Sequence, residues 1–403
     1  MHVQCAVAGG GPAGMMLGLL LARAGVSVAV LEKHADFLRD FRGDTIHPST
    51  LELLHELGIL EAFLARPHQE ARTLTGRVAG ESVTLADFSH LPTRCKFIAL
   101  MPQWDFLDFI AAEARRFSAF RLIMQAEVTG LLESSGRING VTTRTPDGPV
   151  DVNADLVVGA DGRHSIVRER AGLAVENFGA PIDALWMRIS RRPDDPSQVL
   201  GNVAMGRVFV MLDRGDYWQC AYVIPKGGFA QVQSRGLDAF QRSIAEIVPF
   251  LADRVAELRD WNDIKLLTVV VDRLRRWYRP GLLCIGDAAH AMSPIGGVGI
   301  NLAVQDAVAA ANILSGPLVR GACTEADLAR VQKRRELPTR VIQRIQLLAQ
   351  DLFLKRTLEG RVPQKMPRPL KLLQQWPILR RIPARLVGIG IRPEHIESRK
   401  SDV

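Results

Sequence analysis

The sequence predicts an α/β protein whose parallel sheet is assembled from discontinuous segments, with a β-sheet-rich second unit and a C-terminal helical region. Three observations carry this expectation. An N-terminal strand, a Gly-rich turn and a helix run directly into a second strand. Two later apolar runs each end in an adjacent Asp and Gly. Between those runs, residues 181–235 alternate in the manner of half-exposed strands.

Residues 3–8 form a short apolar run of the kind buried on both faces of a parallel sheet. Gly9-Gly10-Gly11-Pro12-Ala13-Gly14 interrupts it, residues 15–24 read as a helix closed by Gly25, and residues 26–31 read as the next strand, ended by Glu32. The spacing then predicts a helix over 43–58, strands within 72–101, a helix over 102–117 and a meander over 121–152. Residues 155–160 and 282–285 read as buried strands. Helices are expected over 238–250, 251–258 and 299–314, and the chain after Gly321 reads as helical and Arg-punctuated.

At about 150 residues per domain, 403 residues allow two or three units. With 47% hydrophobic and 23% charged residues, wholesale disorder is excluded. The 34 Gly and 22 Pro follow no short period, which excludes collagen-like and low-complexity readings. Five cysteines (Cys5, Cys95, Cys220, Cys284, Cys323) without a Cys-x-x-Cys pair argue against a disulfide framework or a cysteine zinc site and fit a reducing cytoplasm. No basic n-region precedes the first apolar run, so no signal peptide is expected, and its glycines, Pro12 and Arg23 argue against a membrane span. The net charge of +8 is concentrated late: residues 331–403 hold 17 Lys/Arg against 6 Asp/Glu.

The chemistry is written at the strand ends. Gly9-x-Gly11-x-x-Gly14 lies between a strand and a helix, where a tight turn brings backbone amides to a pyrophosphate at the positive helix end. Glu32, 18 residues past Gly14, is placed to accept from an adenosine ribose and to repel a ribose phosphate, which favours FAD or NAD over NADP here. Asp161-Gly162 follows one buried strand and Gly286-Asp287 the other. An Asp at such a point can hold the hydroxyls of a ribityl chain, and the run Pro294, Gly296, Gly297, Gly299, Asn301 brings amides to an extended polar ring edge. A simple nicotinamide dehydrogenase needs neither feature.

On these motifs, in this order and spacing, residues 3–315 resemble the FAD-dependent aromatic hydroxylases of the para-hydroxybenzoate hydroxylase type, the class A flavoprotein monooxygenases. The resemblance implies a Rossmann-like FAD-binding domain over 1–72, 102–180 and 265–320, a substrate domain over 73–101 and 181–264, and a basic helical region over 321–403. It implies non-covalent FAD held by Gly9, Gly11, Pro12, Ala13, Gly14, Glu32, Lys33, Arg42, Gln103, Asp161, Gly286, Asp287, Pro294, Gly297, Gly299, Ile300 and Asn301. It further implies that NAD(P)H reduces the flavin as a transient co-substrate. O2 then adds at C4a, and the hydroperoxide passes one oxygen atom to a small, aromatic or lipophilic substrate. Pro294 is expected near that reacting position.

Other residues are weighed singly. His47 either faces the flavin as a catalytic group or, the preferred reading, caps the helix begun by Pro48. His290 reads as structural. The resemblance implies that a tyrosine deprotonates a phenolic substrate, which makes Tyr217 and Tyr222 candidates; they point to opposite faces of one strand, so at most one lines the pocket, and Tyr222 is taken as the catalytic candidate. Arg163, His164, Arg168 and Arg170 read as a solvated basic face. Residues 366–392 interleave apolar side chains with Arg and Lys, a pattern that fits packing on the FAD domain or peripheral contact with an anionic membrane. Pro377 and Pro383 break the stripe and favour packing. No nucleic-acid motif accompanies the charge, and the chain is expected to be a monomer or homodimer. The rival functions are an FAD-dependent reductase or dehydrogenase of the same fold and a non-catalytic flavin-binding redox partner.

Overall fold

A computed structural model describes residues 1–38, 45–78, 80–196, 201–204, 206–360 and 366–397. Its first sheet is built on β1 (His2–Ala8), flanked in parallel by β2 (Val28–Leu31) and, beyond that, β3 (Phe120–Ile123). On its other side lie β4 (Gly148–Gly159) and then β5 (Leu282–Cys284), both parallel to β1. The order β5-β4-β1-β2-β3 reverses the direction of chain travel between β1 and β4. In an open α/β sheet that reversal leaves a crevice at the carboxyl ends of the strands, where ligands bind.

α1 (Pro12–Arg23) begins with a proline whose fixed φ suits the first helical position. Its apolar residues pack on α3 (Gln103–Ala114) and α4 (Gly299–Val319), with α2 (Pro48–Glu56) lying against α4. The segment Ile295–Val319 is long and apolar enough to cross a membrane by length and composition, but it is mostly buried inside the fold between α1 and the following α5 (Glu325–Ala349).

The second sheet runs Lys265–Leu267, Ile182–Ser190, Tyr217–Pro225, Arg207–Asp213, Gly201–Ala204, Thr73–Val78 and Glu81–Asp87. The strand Lys265–Leu267 therefore pairs outside the first sheet, although a boundary at 265 had put it with the FAD-binding segments. Side chains alternate across this sheet. Leu185, Met187, Trp218, Cys220 and Tyr222 face the helix Leu237–Ile247, and Val78, Val203, Val208 and Val223 face the opposite way, toward Ile295 and Leu354. The helix expected over 251–258 is replaced by 3₁₀ turns at Pro249–Leu251 and Val255–Glu257.

The C-terminal region folds back on the body through α6 (Arg368–Gln375) and α7 (Arg381–Gly388). Both helices touch the strand Glu81–Asp87. A Cβ at Gly388 would sit 2.7 Å from Leu91 and 3.3 Å from Pro48, so the backbone of α7 lies directly on the body. Packing, the preferred reading of the tail, is what these inward residues do.

Candidate active site

Gly9 has a φ of +103°, and a Cβ there would lie 2.4 Å from the Ala160 carbonyl oxygen, so the turn after β1 passes hard against the end of β4. Gly11 is the opposite case. It stands at the N-cap of α1 with no side-chain cap, and nothing lies within 4 Å of where its Cβ would be. The first-turn amides of α1 thus face a cradle at the positive end of the helix that a side chain at Gly11 would fill, a good fit for a pyrophosphate. Glu32 is buried beside it, its carboxylate accepting from the Gly10 amide at 2.9 Å and the His34 amide at 3.1 Å, with His34 Nδ1 at 2.6 Å. Lys33 follows, exposed.

The other two strand ends meet the same crevice. A Cβ on Gly286 would lie 3.2 Å from the Cβ of Ala13, which sets the Gly286-Asp287 turn against the first turn of α1. Asp161 Oδ2 accepts from the Val167 amide at 3.1 Å, while its Oδ1 is buried without a partner, and burial pushes its carboxyl pKa up. Asp287 faces Arg163 at 3.5 Å, and Arg168 forms a largely buried pair with Asp272 at 3.1 Å. The expected solvated basic face is therefore partly committed to internal carboxylates.

Pro294 caps the turn Ile295–Gly297, where the Gly297 amide donates to the Pro294 carbonyl at 3.0 Å and Thr45 Oγ1 donates to the Gly297 carbonyl at 3.0 Å. Gly299 and Ile300 open α4, and Gly299 has open space on its Cβ side. Asn301 instead turns inward, accepting from Ser49 at 2.6 Å and Thr50 at 2.9 Å, and so ties α2 to α4. Gln103 starts α3, partly exposed. Arg42, with Phe41 and Gly43, lies outside the described residues.

Two expectations change. Tyr222 is not in the pocket: its ring packs 5.1 Å from Phe240 on the sheet face turned away from Ile295. Strand parity separates Tyr217 from Tyr222 but does not say which face looks inward. His47 is at the N-cap of α2, yet its ring makes no capping bond. It is fully buried, with Nδ1 2.7 Å from the Val387 carbonyl oxygen and Nε2 unpartnered, and burial lowers its pKa to about 4. A neutral ring donating from Nδ1 is the consistent state.

A buried charge chain behind the Gly286-Asp287 turn was not legible as such. Asp306 Oδ2 accepts from the Gly286 amide at 3.1 Å and pairs with His290 Nε2 at 2.5 Å, and Asp306 Oδ1 accepts from Arg335 Nε at 3.0 Å. Arg335 in turn donates to Glu394 of the tail at 3.0 Å. Burial raises the Asp306 pKa, but His290 and Arg335 more than offset this and hold it below the ordinary carboxylate range. The one sequence signal is a row of polar residues at helical spacing, Arg335, Thr339, Gln343, Gln346 and Gln350, along a helix that must bury one side.

Open glycine cradles at two helix starts, a buried ribose-type acid and an Asp-bearing turn at one switch point define a flavin-dinucleotide site. Residues 2–345 match the family described as FAD binding domain. The chain is 33% identical over 390 residues to 6-methylpretetramide 4-monooxygenase of Streptomyces rimosus, covering 96% of this chain and 92% of that one. It is 26% identical to YhjG of Bacillus subtilis, described as an uncharacterized aromatic compound monooxygenase, over 76% of this chain, but spans only 60% of that longer protein. The fold matches the solved anhydrotetracycline hydroxylase OxyS of Streptomyces rimosus with a TM-score of 0.76 at 24% identity, covering 96% of this chain and 76% of that one. The chain belongs to the FAD binding domain family. It is an FAD-dependent monooxygenase of the aromatic-hydroxylase type, and this reading displaces the reductase and the non-catalytic partner.

Proposed function

We propose that the chain hydroxylates a flat, polycyclic aromatic substrate with O2 and NAD(P)H, on the sheet face that looks onto the Pro294 turn. The carrying observation is that Ile295, next to Pro294, shares one apolar cluster with Val203, Val208 and Val223 of the second sheet. The next row across that face, Trp186, Ala221, Val210 and Gly201, is mostly small and apolar, a low floor suited to fused rings. The similarity to an enzyme named for a pretetramide supports this class.

FAD, when bound, supplies the reduction and oxygen chemistry. The chain's part is to hold and enclose it. The Gly9–Gly14 turn, with Pro12 and Ala13, takes the pyrophosphate, Glu32 the ribose, and Asp161 and Asp287 polar groups along the chain between the rings. Lys33, Arg42 and Gln103 complete the set from the resemblance. Pro294, Gly297, Gly299 and Ile300 form the wall along the ring system, and Pro294 leaves that wall without an N–H. His47, neutral and bonded to Val387, holds structure rather than moving a proton. We divide the chain accordingly, the first sheet for FAD and the second for substrate.

The test is NAD(P)H oxidation by FAD-loaded protein across polycyclic phenols, monocyclic phenols and aromatic acids, with NADH and NADPH compared. A polycyclic phenol that stimulates oxidation and gains one oxygen atom is the expected result. Stimulation only by monocyclic acids, or by nothing, overturns the substrate class.

Four residues of the tail point outward: Leu372, Trp376, Ile378 and Ile382 are 48–68% exposed, among exposed Arg368, Lys371, Arg381 and Arg385. No Asp or Glu occurs between Glu359 and Glu394. Like charge disfavours pairing two copies through this face, so a second role for the tail is contact with an anionic membrane surface. Salt-sensitive co-sedimentation with phosphatidylglycerol vesicles, lost in Trp376→Ser with Ile382→Ser, is the result expected; no sedimentation at low salt overturns it. The five cysteines are all free, which supports a reducing, cytoplasmic setting.

A further inference from the structure

The turn that carries Pro294 is held from behind, by a helix outside the first sheet. Two glutamines of one helical row reach it, and a third holds the segment that leads into it. Gln343 Nε2 donates to the carbonyls of Asp272 at 2.7 Å and Ala291 at 3.0 Å. Gln346 Nε2 donates to the carbonyls of Ser293 at 3.0 Å and Ile295 at 2.9 Å, one on each side of Pro294. Gln350, just past α5, has its Nε2 2.6 Å from Ser293 Oγ. All three are nearly or fully buried. Because Pro294 has no N–H and the segment is irregular, its carbonyls depend on donors from elsewhere, and a buried carbonyl without one is costly.

We propose that Gln346 is a positioning residue for the oxygen-reacting face of the site: one carboxamide ties the Ser293–Pro294 peptide to the Ile295–Gly296 peptide across Pro294 and so sets how closely that wall meets the flavin ring. The inference rests on the Pro294 turn lining the ring, as argued above. Its neighbour in the row, Gln350, fixes the same turn through the Ser293 hydroxyl. The cradle at Gly11 and the acid Glu32 lie on other elements, so dinucleotide affinity and ring placement are separable. Gln346→Met keeps the volume and removes both donated bonds; FAD is retained while the wall loosens.

The experiment compares wild type, Gln346→Met, Gln350→Met and the control Ile345→Ala, an exposed position on the same helix. Amide exchange over residues 291–297 is measured with and without FAD, together with the visible spectrum and dissociation constant of bound FAD and the H2O2 released per NAD(P)H oxidised. Gln346→Met should exchange about tenfold faster at Ile295 and Gly297, alter the flavin band and release more H2O2, with FAD affinity within about threefold. Gln350→Met should move in the same direction by less, and it carries the test where Gln346→Met does not fold. A lower melting temperature with unchanged exchange and flavin spectrum would mean packing only and would overturn the proposal. Exchange and spectrum are read without substrate, so they stand or fall separately from the substrate class.

Discussion

His47 Nδ1 lies 2.7 Å from the carbonyl oxygen of Val387, joining the entrance of α2 to α7 of the C-terminal region. The contact places a titratable ring where water does not reach, and its charge state becomes a condition of the fold.

The first prediction is a pH dependence. The His47 pKa falls from 6.5 to about 4 in the folded protein. The sign is that of a depressed group: its stabilisation is complete above pH 6.5 and is lost progressively as pH falls toward 4, by roughly 3 kcal/mol. His47→Gln keeps a donor for Val387 and removes the titration. Chemical unfolding between pH 7 and pH 4 should give a shallower decline for His47→Gln than for wild type; parallel curves would refute the assignment.

Glycines of the fingerprint should fail in different ways. Gly11→Val faces open space in the protein alone, so the apoprotein should fold with near wild-type stability and lose FAD. Gly9→Ala meets the Ala160 carbonyl at 2.4 Å in a left-handed conformation, so it should destabilise the apoprotein itself. Melting of apoprotein and FAD titration, run on both variants, separate the two.

Much of this was legible because it is local. The Gly9–Gly14 turn, Glu32, Asp161 and Gly286-Asp287 each sit at the end of an apolar strand, and a few neighbouring residues suffice to reveal a strand end. Tyr222 was misplaced because alternation gives two faces without ranking them, and the helix Leu237–Ile247 that covers its face lies elsewhere in the chain. Lys265–Leu267 is too short to carry its own period, so its sheet is decided by pairing with Ile182–Ser190. Arg335 and Glu394 lie 59 residues apart in the basic stretch 331–403, and only tertiary contact sets Arg335 between Glu394 and Asp306.

Tyr222→Phe should therefore be silent in catalysis. Its ring is packing between Phe209 and Phe240, and removal of the hydroxyl should change stability by under about 1 kcal/mol. Steady-state kinetics with any productive substrate checks this; a large loss in kcat would return the residue to the pocket.

Arg335→Met should be severe. It leaves the buried carboxylates of Asp306 and Glu394 without their shared cation, a change of the kind that costs about 3–5 kcal/mol. Removal of everything after Gly360 deletes Glu394 and Val387 together and should weaken both folding and FAD retention. Denaturant unfolding with and without FAD is the measurement, and a fully stable, FAD-retaining truncation would contradict it.

The closure of Arg335 by Glu394 also orders events during synthesis. Strand β1 and the fingerprint turn leave the ribosome long before residue 394, whose carboxylate joins Asp306 as the second partner of Arg335 behind the Gly286 turn. Until residue 394 is made, the nascent chain holds a dinucleotide cradle whose rear support lacks one of its two carboxylates. A chain halted before residue 394 has every FAD motif in its sequence, yet Asp306 is then the sole carboxylate left to Arg335 of the two that hold it in the folded protein.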